Sequence, residues 1–548
     1  MKKILFLFVV SLVMYSCQKE QPAPLFKKYD ESAELEKQQN HPTKRMKFKL
    51  FQSKVLDMNE VFQPFNDALA NFSEATYDSL KPLIIEQDIP TLQTHVREGK
   101  LTYEQLTLFY LYRIRKFESD STKSLNAIIA LNPKVLEEAR KRDAERTDTK
   151  ATPTKIYGMP ILLKDNINTA GMPTTAGALA LAENKNTEDA FIVKRLKEEG
   201  ALILGKANLS EWAYFFCSGC PLGYSAVGGQ SLNPYGRGEF ETGGSSASSG
   251  TAVAANYAVA AVGTETSGSI TSPSSLNSVV GLKPTIGLLS RTGIVPISST
   301  LDTPGPMTKS VMDNWIFLNA MYGYDPEDPK AFKYVDKSYG TFKDDLKGKR
   351  FGVFKRLLAS DSVYNANINI MKEAGAIIVE IEPERVPLPG FRTLLSIDMK
   401  LDLPAYIQNY ADKNVKVQSV KDVIEFNEKD SILRAPYGQA LFEGIVADTT
   451  TVEQLQEIKK TLMSNARQFY SVMDTEKLDA ILSINNYHSG FSAVAEYPNL
   501  TVPMGYRESG QPTNLTFIAK PQEEAKLLIL GNAFERLTKH RKLPAGYE

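Results

Sequence analysis

TGGSSASSGTAVAANYAVAAVGTETSGSI, residues 242–270, sets two Gly/Ser clusters on either side of a dense run of small apolar residues. A flexible linker has no apolar middle, whereas TAVAANYAVAAV (251–262) is apolar enough to be buried. Ser248–Asn256 is expected as a close-packed helix and Ala258–Gly263 as a buried strand. A phosphate loop is excluded too. GGSSASSG (243–250) has neither the GxxxxGK[ST] spacing nor a lysine at its end, and the stretch offers no GxGxxG.

What is left is nucleophilic catalysis. A serine hydroxyl is a weak nucleophile until a neighbouring base takes its proton. The G-x-S-x-G elbow of esterases is absent from the stretch. The chain has four histidines (His41, His95, His488, His540), and His488, in NNYHSG, is the one placed to join a Ser-His-Asp set. Lysine is the other base, provided burial disfavours its charged form. Lys164 ends the apolar run Ile161-Leu162-Leu163 and suits that part. An exposed strand-end lysine paired with Asp165 is the alternative that this segment leaves open. TETSGSI (264–270) puts Thr266, Ser267, Gly268 and Ser269 in a turn after the buried strand. Successive amides of such a turn can converge on a carbonyl oxygen.

Outward from this stretch the pattern is α/β. LTYEQLTLFYLYRIRKFE (101–118) places Leu101, Leu108, Tyr112 and Arg115 at helical spacing behind Thr102 as N-cap. NPKVLEEARKRDAER (132–146) reads as a helix with Pro133 in its first turn. DAFIVKRLKEEGALILGKANLSEWA (189–213) reads as helix, Gly200 turn and buried strand. KGKRFGVFK (347–355), EAGAIIVEIEP (373–383) and LDAILSI (478–484) supply further strands, the last of them buried. Residues 18 to about 75 are polar and weakly periodic, which predicts a linker with at most one helix.

GGSSASSGTAVAANYAVAAVGTETSGSITSP resembles the Gly/Ser signature of the amidase signature family, whose nucleophilic serine follows 24 residues after the first serine of the glycine cluster; here those serines are Ser245 and Ser269. The G-x-P-x-x-x-K-D motif of the family is matched by Gly158 to Asp165 and holds Lys164. ILGKANLSEWA, GLKPTIGLLSRTGIVPIS, LDTPGPM and YPNLTVPMGY resemble further blocks in family order, and the similarity covers about residues 90–548.

The resemblance implies a central mixed β-sheet flanked by helices on both faces. It implies amide hydrolysis through an acyl-enzyme, with no metal or other cofactor. Ser269 would be the nucleophile, Ser245 the bridging serine behind a cis Gly244–Ser245 bond, and Lys164 the base. Amides of Thr266, Ser267 and Gly268, with that of Ser269, would form the oxyanion hole. Three departures stand out: the family's Asp, one Gly and Arg are replaced by Glu265, Ser267 and Thr271. The GTETxGSI form, with GYSAVGGQSLNPY (223–235), is most similar to the peptide amidase branch, which removes ammonia from C-terminal peptide amides. That implies a small-molecule or peptide amide as substrate. An amidotransferase A subunit acting on glutamyl-tRNA, or an inactive binding lipoprotein on the same scaffold, are the alternatives.

The remaining features bear on setting. With 548 residues, the chain exceeds what one compact core usually organises. Lys+Arg and Asp+Glu both number 64, so no global field draws nucleic acid, and none is expected as a partner. Lys2 and Lys3 precede the apolar Ile4–Tyr15, too short for a permanent membrane span, and Met14-Tyr15-Ser16-Cys17 follows. This resembles a bacterial lipobox, although Met14 stands where Leu or Val is more usual. It implies a signal peptide over 1–17, lipidation at Cys17, and a lipid-anchored protein of the cell envelope outside the cytoplasm. Plain signal-peptidase cleavage or a signal anchor is the alternative. Residues 18–90 would then be a polar tether with an N-terminal helical region, and 91–548 the catalytic domain, with substrate-pocket walls from a variable 310–480. Aromatics of that segment (Phe342, Tyr406, Tyr410, Tyr437, Phe442) read as core before substrate contacts. Cys217 and Cys220, in CSGC, read as packed thiols or one local disulfide, not a zinc site.

Overall fold

In the computed structural model, which describes residues 25–148, 155–333, 345–384 and 386–548, the apolar runs become strands of one mixed sheet. Eleven strands take part. They are β1 (Ile128–Leu131), β2 (Pro160–Lys164), β3 (Leu202–Ala207), β4 (Ala260–Glu265), β5 (Val280–Lys283) and β6 (Thr303–Thr308). Then follow β7 (Arg350–Phe354), β8 (Ile377–Ile381), β9 (Ala480–Ile484), β10 (Asn499–Tyr506) and β11 (Pro512–Ile518). Across the sheet they run β1-β3-β2-β4-β6-β5-β10-β11-β9-β7-β8. β2 is parallel to β3 and β4, and β7 to β8 and β9. The other pairings are antiparallel.

Every residue of β2, β3, β4 and β6 is buried. Successive strand side chains point to opposite faces, so both faces of the sheet are covered there. The covering layers are helices. Ala247–Ala254 packs on β4 and is buried throughout, which only its small side chains permit. Glu524–Thr538 lies on β10, and Phe191–Glu198 turns Ile192, Val193 and Leu196 inward. A single hydrophobic cluster runs from Met46 to Tyr547, so one wide sheet organises the length that suggested more than one core.

The helix after Thr102 spans Tyr103–Glu118, closed by a capping box between Thr102 and Gln105. Its buried stripe is Leu106, Tyr110, Arg113 and Phe117, one step round from the positions that spacing alone singles out. Arg113 is buried because its fork is satisfied: Nε donates to Ala255 O at 2.9 Å, Nη1 to Tyr77 Oη at 2.5 Å, and Nη2 to Tyr547 O. The next helix starts at Val135, leaving Pro133 in the preceding turn.

The linker reading of the N-terminal part does not hold for its described residues. Helices Ser32–Gln39, Met58–Phe62, Asn66–Ala70, Glu74–Ile84 and Ile89–Arg97 follow one another, and Phe48, Phe51, Phe62 and Phe65 are each at most 2% exposed. The polar composition hides isolated aromatic anchors. Phe51 O also accepts from Gln230 N at 2.9 Å and Asn126 Nδ2 at 3.1 Å, tying the segment to the domain. Cys17 and Phe342 lie outside the described residues.

This docking predicts that Phe51→Ala costs about 3–5 kcal/mol of stability, the usual range for a buried phenylalanine. Denaturant unfolding of the two proteins measures it. A tether would give no difference.

Candidate active site

The parallel pairing of β2 with β4 sets Leu163 beside Val262. The next residues of both strands therefore emerge at one end of the sheet, and Lys164 meets Thr264. Lys164 is fully buried. Its Nζ lies 2.8 Å from Thr264 Oγ1, 3.1 Å from Thr264 O and 2.8 Å from Ser245 Oγ. Asn166 Nδ2 donates to the same Thr264 hydroxyl at 3.0 Å. Among the described residues no carboxylate touches the amine. Burial lowers its pKa to about 7, against an opposing pull from Asp302 and Glu265. Asp165, the partner that an exposed lysine would take, faces away and pairs with Lys206 at 3.4 Å, both side chains being buried.

Ser245 is also fully buried, and the Gly244–Ser245 peptide bond is cis. Gly243, at φ +67°, lies against α-helical turn Thr271–Leu276, where an added Cβ would come 2.8 Å from Pro273. Ser246 ties the two Gly/Ser clusters together: its N donates to Ser269 O at 3.1 Å and its Oγ to Thr264 O at 3.0 Å. Ser269 is 9% exposed and faces a cleft. Its Oγ makes no hydrogen bond to Ser245 Oγ in this structure, so the structure joins Lys164 to Ser245 directly and Ser269 to them through the backbone.

Among the described residues, the backbone N–H groups of Thr266, Ser267, Gly268 and Ser269 donate to no protein acceptor. The turn is held by its side chains. Thr266 Oγ1 donates to Asp302, whose other oxygen accepts from Ile297 N (2.8 Å) and Ser298 N (2.9 Å). Gly268 adopts φ +86° and backs onto Asn486, where an added Cβ would come within 2.9 Å. Only glycine combines that conformation with that approach.

The departures at 265 and 271 form a pair. Glu265 Oε2 accepts from Ile270 N (2.8 Å), Thr271 N (2.9 Å) and Thr271 Oγ1 (2.9 Å), and Thr271 Oγ1 also lies 2.9 Å from Asn499 Oδ1. The carboxylate therefore caps the helix that follows Ser269, a favourable place for negative charge.

The cleft over Ser269 has a volume of about 530 Å³, the size of a small-ligand site. Phe215, Ile297, Phe391 and Leu395 give it an apolar side. Arg45, Glu241, Asn486 and Arg507 give it a polar one. A second cavity, of about 520 Å³, shares no lining residue with it and contains none of Lys164, Ser245 or Ser269. Arg45 and Phe391 escaped the sequence reading, the first because it sits in the apparent linker. Of the aromatics named earlier, Tyr406 and Phe442 are core and none of the described ones lines this cleft.

His488 is not part of the site. Its ring stacks on Phe354 at 4.1 Å and Phe469 at 5.7 Å, Nδ1 sits 2.6 Å from Ser483 Oγ, and burial lowers its pKa to about 4. The Ser-His-Asp arrangement is thereby ruled out for it. Cys217 and Cys220 form a disulfide. Among the described residues no group of His, Cys, Asp and Glu is arranged to hold a metal ion.

A serine beside a buried amine, next to a turn whose amides have no protein acceptor among the described residues, suits acyl transfer. Residues 105–486 match the family described as Amidase, and the chain belongs to that family and is an amide-hydrolysing enzyme. A solved structure of an amidase family protein from Bacillus anthracis superposes with TM-score 0.84 at 39% identity, covering 90% of this chain and 99% of that one. The peptide amidase from Stenotrophomonas maltophilia gives TM-score 0.78 at 37% identity, covering 84% and 98%. A probable amidase of Arabidopsis thaliana is 36% identical over 487 residues, covering 84% of this chain and 92% of its own.

Removing the Glu265 cap strips the amides of Ile270 and Thr271 of their acceptor and leaves the Thr271 hydroxyl to Asn499 alone. Glu265→Ala is expected to cost about 2–4 kcal/mol, as for other buried charged acceptors. Ammonia release should fall with it, and calorimetry with an ammonia assay reads both.

Proposed function

We propose that this protein hydrolyses C-terminal peptide amides, or closely related small amides, by a Lys164–Ser245–Ser269 relay. The observation that carries the reading is the contact of 2.8 Å between Lys164 Nζ and Ser245 Oγ at a fully buried position. A neutral amine has two N–H donors and one lone pair. The donors suit the two oxygens of Thr264, and the lone pair is left for the Ser245 proton.

Ser245 then takes the proton of Ser269 as Ser269 Oγ attacks the amide carbon. A rotamer change at Ser269 is the movement required, since catalytic hydrogen bonds commonly tighten only with substrate bound. The amides of Thr266, Ser267, Gly268 and Ser269 stabilise the oxyanion. The proton returns through Ser245 to the leaving amine, ammonia departs, and water admitted to the cleft hydrolyses the acyl-enzyme by the same relay. No step calls for a metal or other cofactor. The likeness to a peptide amidase across nearly its whole length supports the substrate class.

We propose also that Cys17 is lipidated and becomes the first residue once residues 1–16 are removed, tethering the enzyme to a bacterial envelope membrane outside the cytoplasm. The Cys217–Cys220 disulfide supports that setting, because such bonds persist where the surroundings are oxidising. Among the described residues no helix is long and apolar enough to cross a membrane.

Ser269→Ala is expected to abolish ammonia release from an amidated dipeptide, and Lys164→Ala to cost nearly as much, because relay members act as a unit. Undiminished turnover in either variant refutes the relay. The pH profile gives a separate check. Lys164 works as the free base, and its pKa is lowered from 10.5 to about 7. Therefore kcat/KM should rise with pH through about 7 and level off above it. A profile still rising toward 10 would mean that the lysine is not the base.

A further inference from the structure

We infer that Arg45, delivered by the N-terminal segment, is a specificity determinant of the cleft, hydrogen-bonding the acyl-side backbone of a peptide amide. The inference rests on the peptide-amide reading above.

Arg45 lies on a one-turn helix, Lys44–Met46, in the stretch that reads as linker. That helix is fixed from several sides. Met46 and Phe48 are buried in the core, Lys49 N donates to Tyr437 Oη at 2.7 Å, and Gln38 Nε2 donates to Gly238 O at 2.6 Å. The result is an arginine held at the wall of the cavity that also contains Ser269.

The guanidinium is oriented by Glu241. Nε stands 2.9 Å from Oε1, and Nη2 donates to Oε2 at 3.0 Å. Its side chain is nonetheless 42% exposed, against 19% for Glu241. An arginine has five donors in a rigid fork. Glu241 takes Nε and one N–H of Nη2, the Tyr214 hydroxyl at the same cleft takes a further donor, and two of the five N–H groups are left for a ligand.

The charge balance names the ligand chemistry. Arg45 is offset by Glu241, and Arg507, the other arginine lining the cleft, is offset by Asp361 at 2.6 Å. Paired charges give no net attraction for an anion. They do present oriented donors and acceptors to a neutral polar chain. Peptide units supply that, with a carbonyl oxygen for Arg45 one or more residues before the amide that meets Ser269. A fatty chain offers the fork no acceptor, and a minimal amide has no second peptide unit to offer it.

The test compares an N-acetylated dipeptide amide with propionamide on the purified protein, reading ammonia. In Arg45→Ala, the ratio of kcat/KM for the dipeptide amide to that for propionamide should fall about tenfold, the scale of a lost hydrogen bond to a charged group. The fall should come through KM rather than kcat. Arg45→Ala also strands Glu241, so Arg45→Ala/Glu241→Gln is measured beside it and should show the same fall. Arg45→Lys keeps the charge without the fork and should recover only part of the ratio. Equal losses on both amides, or no loss, would make Arg45 a structural anchor and overturn the inference alone. A wild-type protein that acts on propionamide but not on the dipeptide amide would overturn the substrate reading and the inference together.

Discussion

The site depends on holding an amine in a place that water cannot reach, where burial disfavours its charged form. Among the described residues Lys164 has no carboxylate in contact, and its hydrogen-bond partners are a hydroxyl and a carbonyl of Thr264 and the hydroxyl of Ser245. These neutral oxygens answer the donors of the amine without a contacting counter-charge, and burial lowers its pKa to about 7. The parallel pairing of β2 with β4 enforces the burial, since the strand that carries Lys164 has covered faces on both sides. Moving either strand by one residue would turn the lysine to the opposite face and part it from Thr264. The position of Asp165 follows from the same constraint. Its negative charge is drawn aside by Lys206, so the adjacent carboxylate does not hold Lys164 in its charged form.

The turn after β4 shows how a family loop can change residues and keep its shape. Glu265 and Thr271 replace an acid and an arginine of the family pattern, and each replacement looks like a loss when taken alone. Together they close on one another, with one carboxylate oxygen serving two amides and one hydroxyl. The arginine's charge is not needed, because the partial positive charge of a helix N-terminus already faces the carboxylate. Thr266 is steadied independently by Asp302, so the turn is anchored at both of its ends.

Legibility in the sequence followed the length scale of each signal. The central strands were readable as short apolar runs because both their faces are buried, and the spacing of Ser245 from Ser269 was readable from the Gly/Ser clusters and the family resemblance. The helix after Thr102 was readable from its cap, although its buried face was not, because Arg113 is inside through hydrogen bonds that no hydrophobic period reveals. Residues 25–75 failed for a different reason. Their helices are too short to show a period, and single aromatics such as Phe51 and Phe62 do the anchoring. Arg45 was illegible for the same reason. A cation in a polar run becomes a cleft residue only through contacts with residues about 200 positions away, such as Glu241.

In the proposed relay, the degree of burial at Lys164 is a compromise. A lysine left at its ordinary pKa would be a strong base present almost wholly as the useless conjugate acid near neutrality. One pushed far below 7 would be free but too weak to draw a serine proton. General-base efficiency peaks where the pKa sits close to the working pH, because both factors then count. Burial alone carries Lys164 to about 7 while Asp302 and Glu265 oppose it. Both carboxylates also hold the turn that carries Ser269, one through Thr266 and the other through Ile270 and Thr271. The groups that hold this turn are thus the ones that oppose the fall of the Lys164 pKa, and a change at either alters the turn and the lysine together.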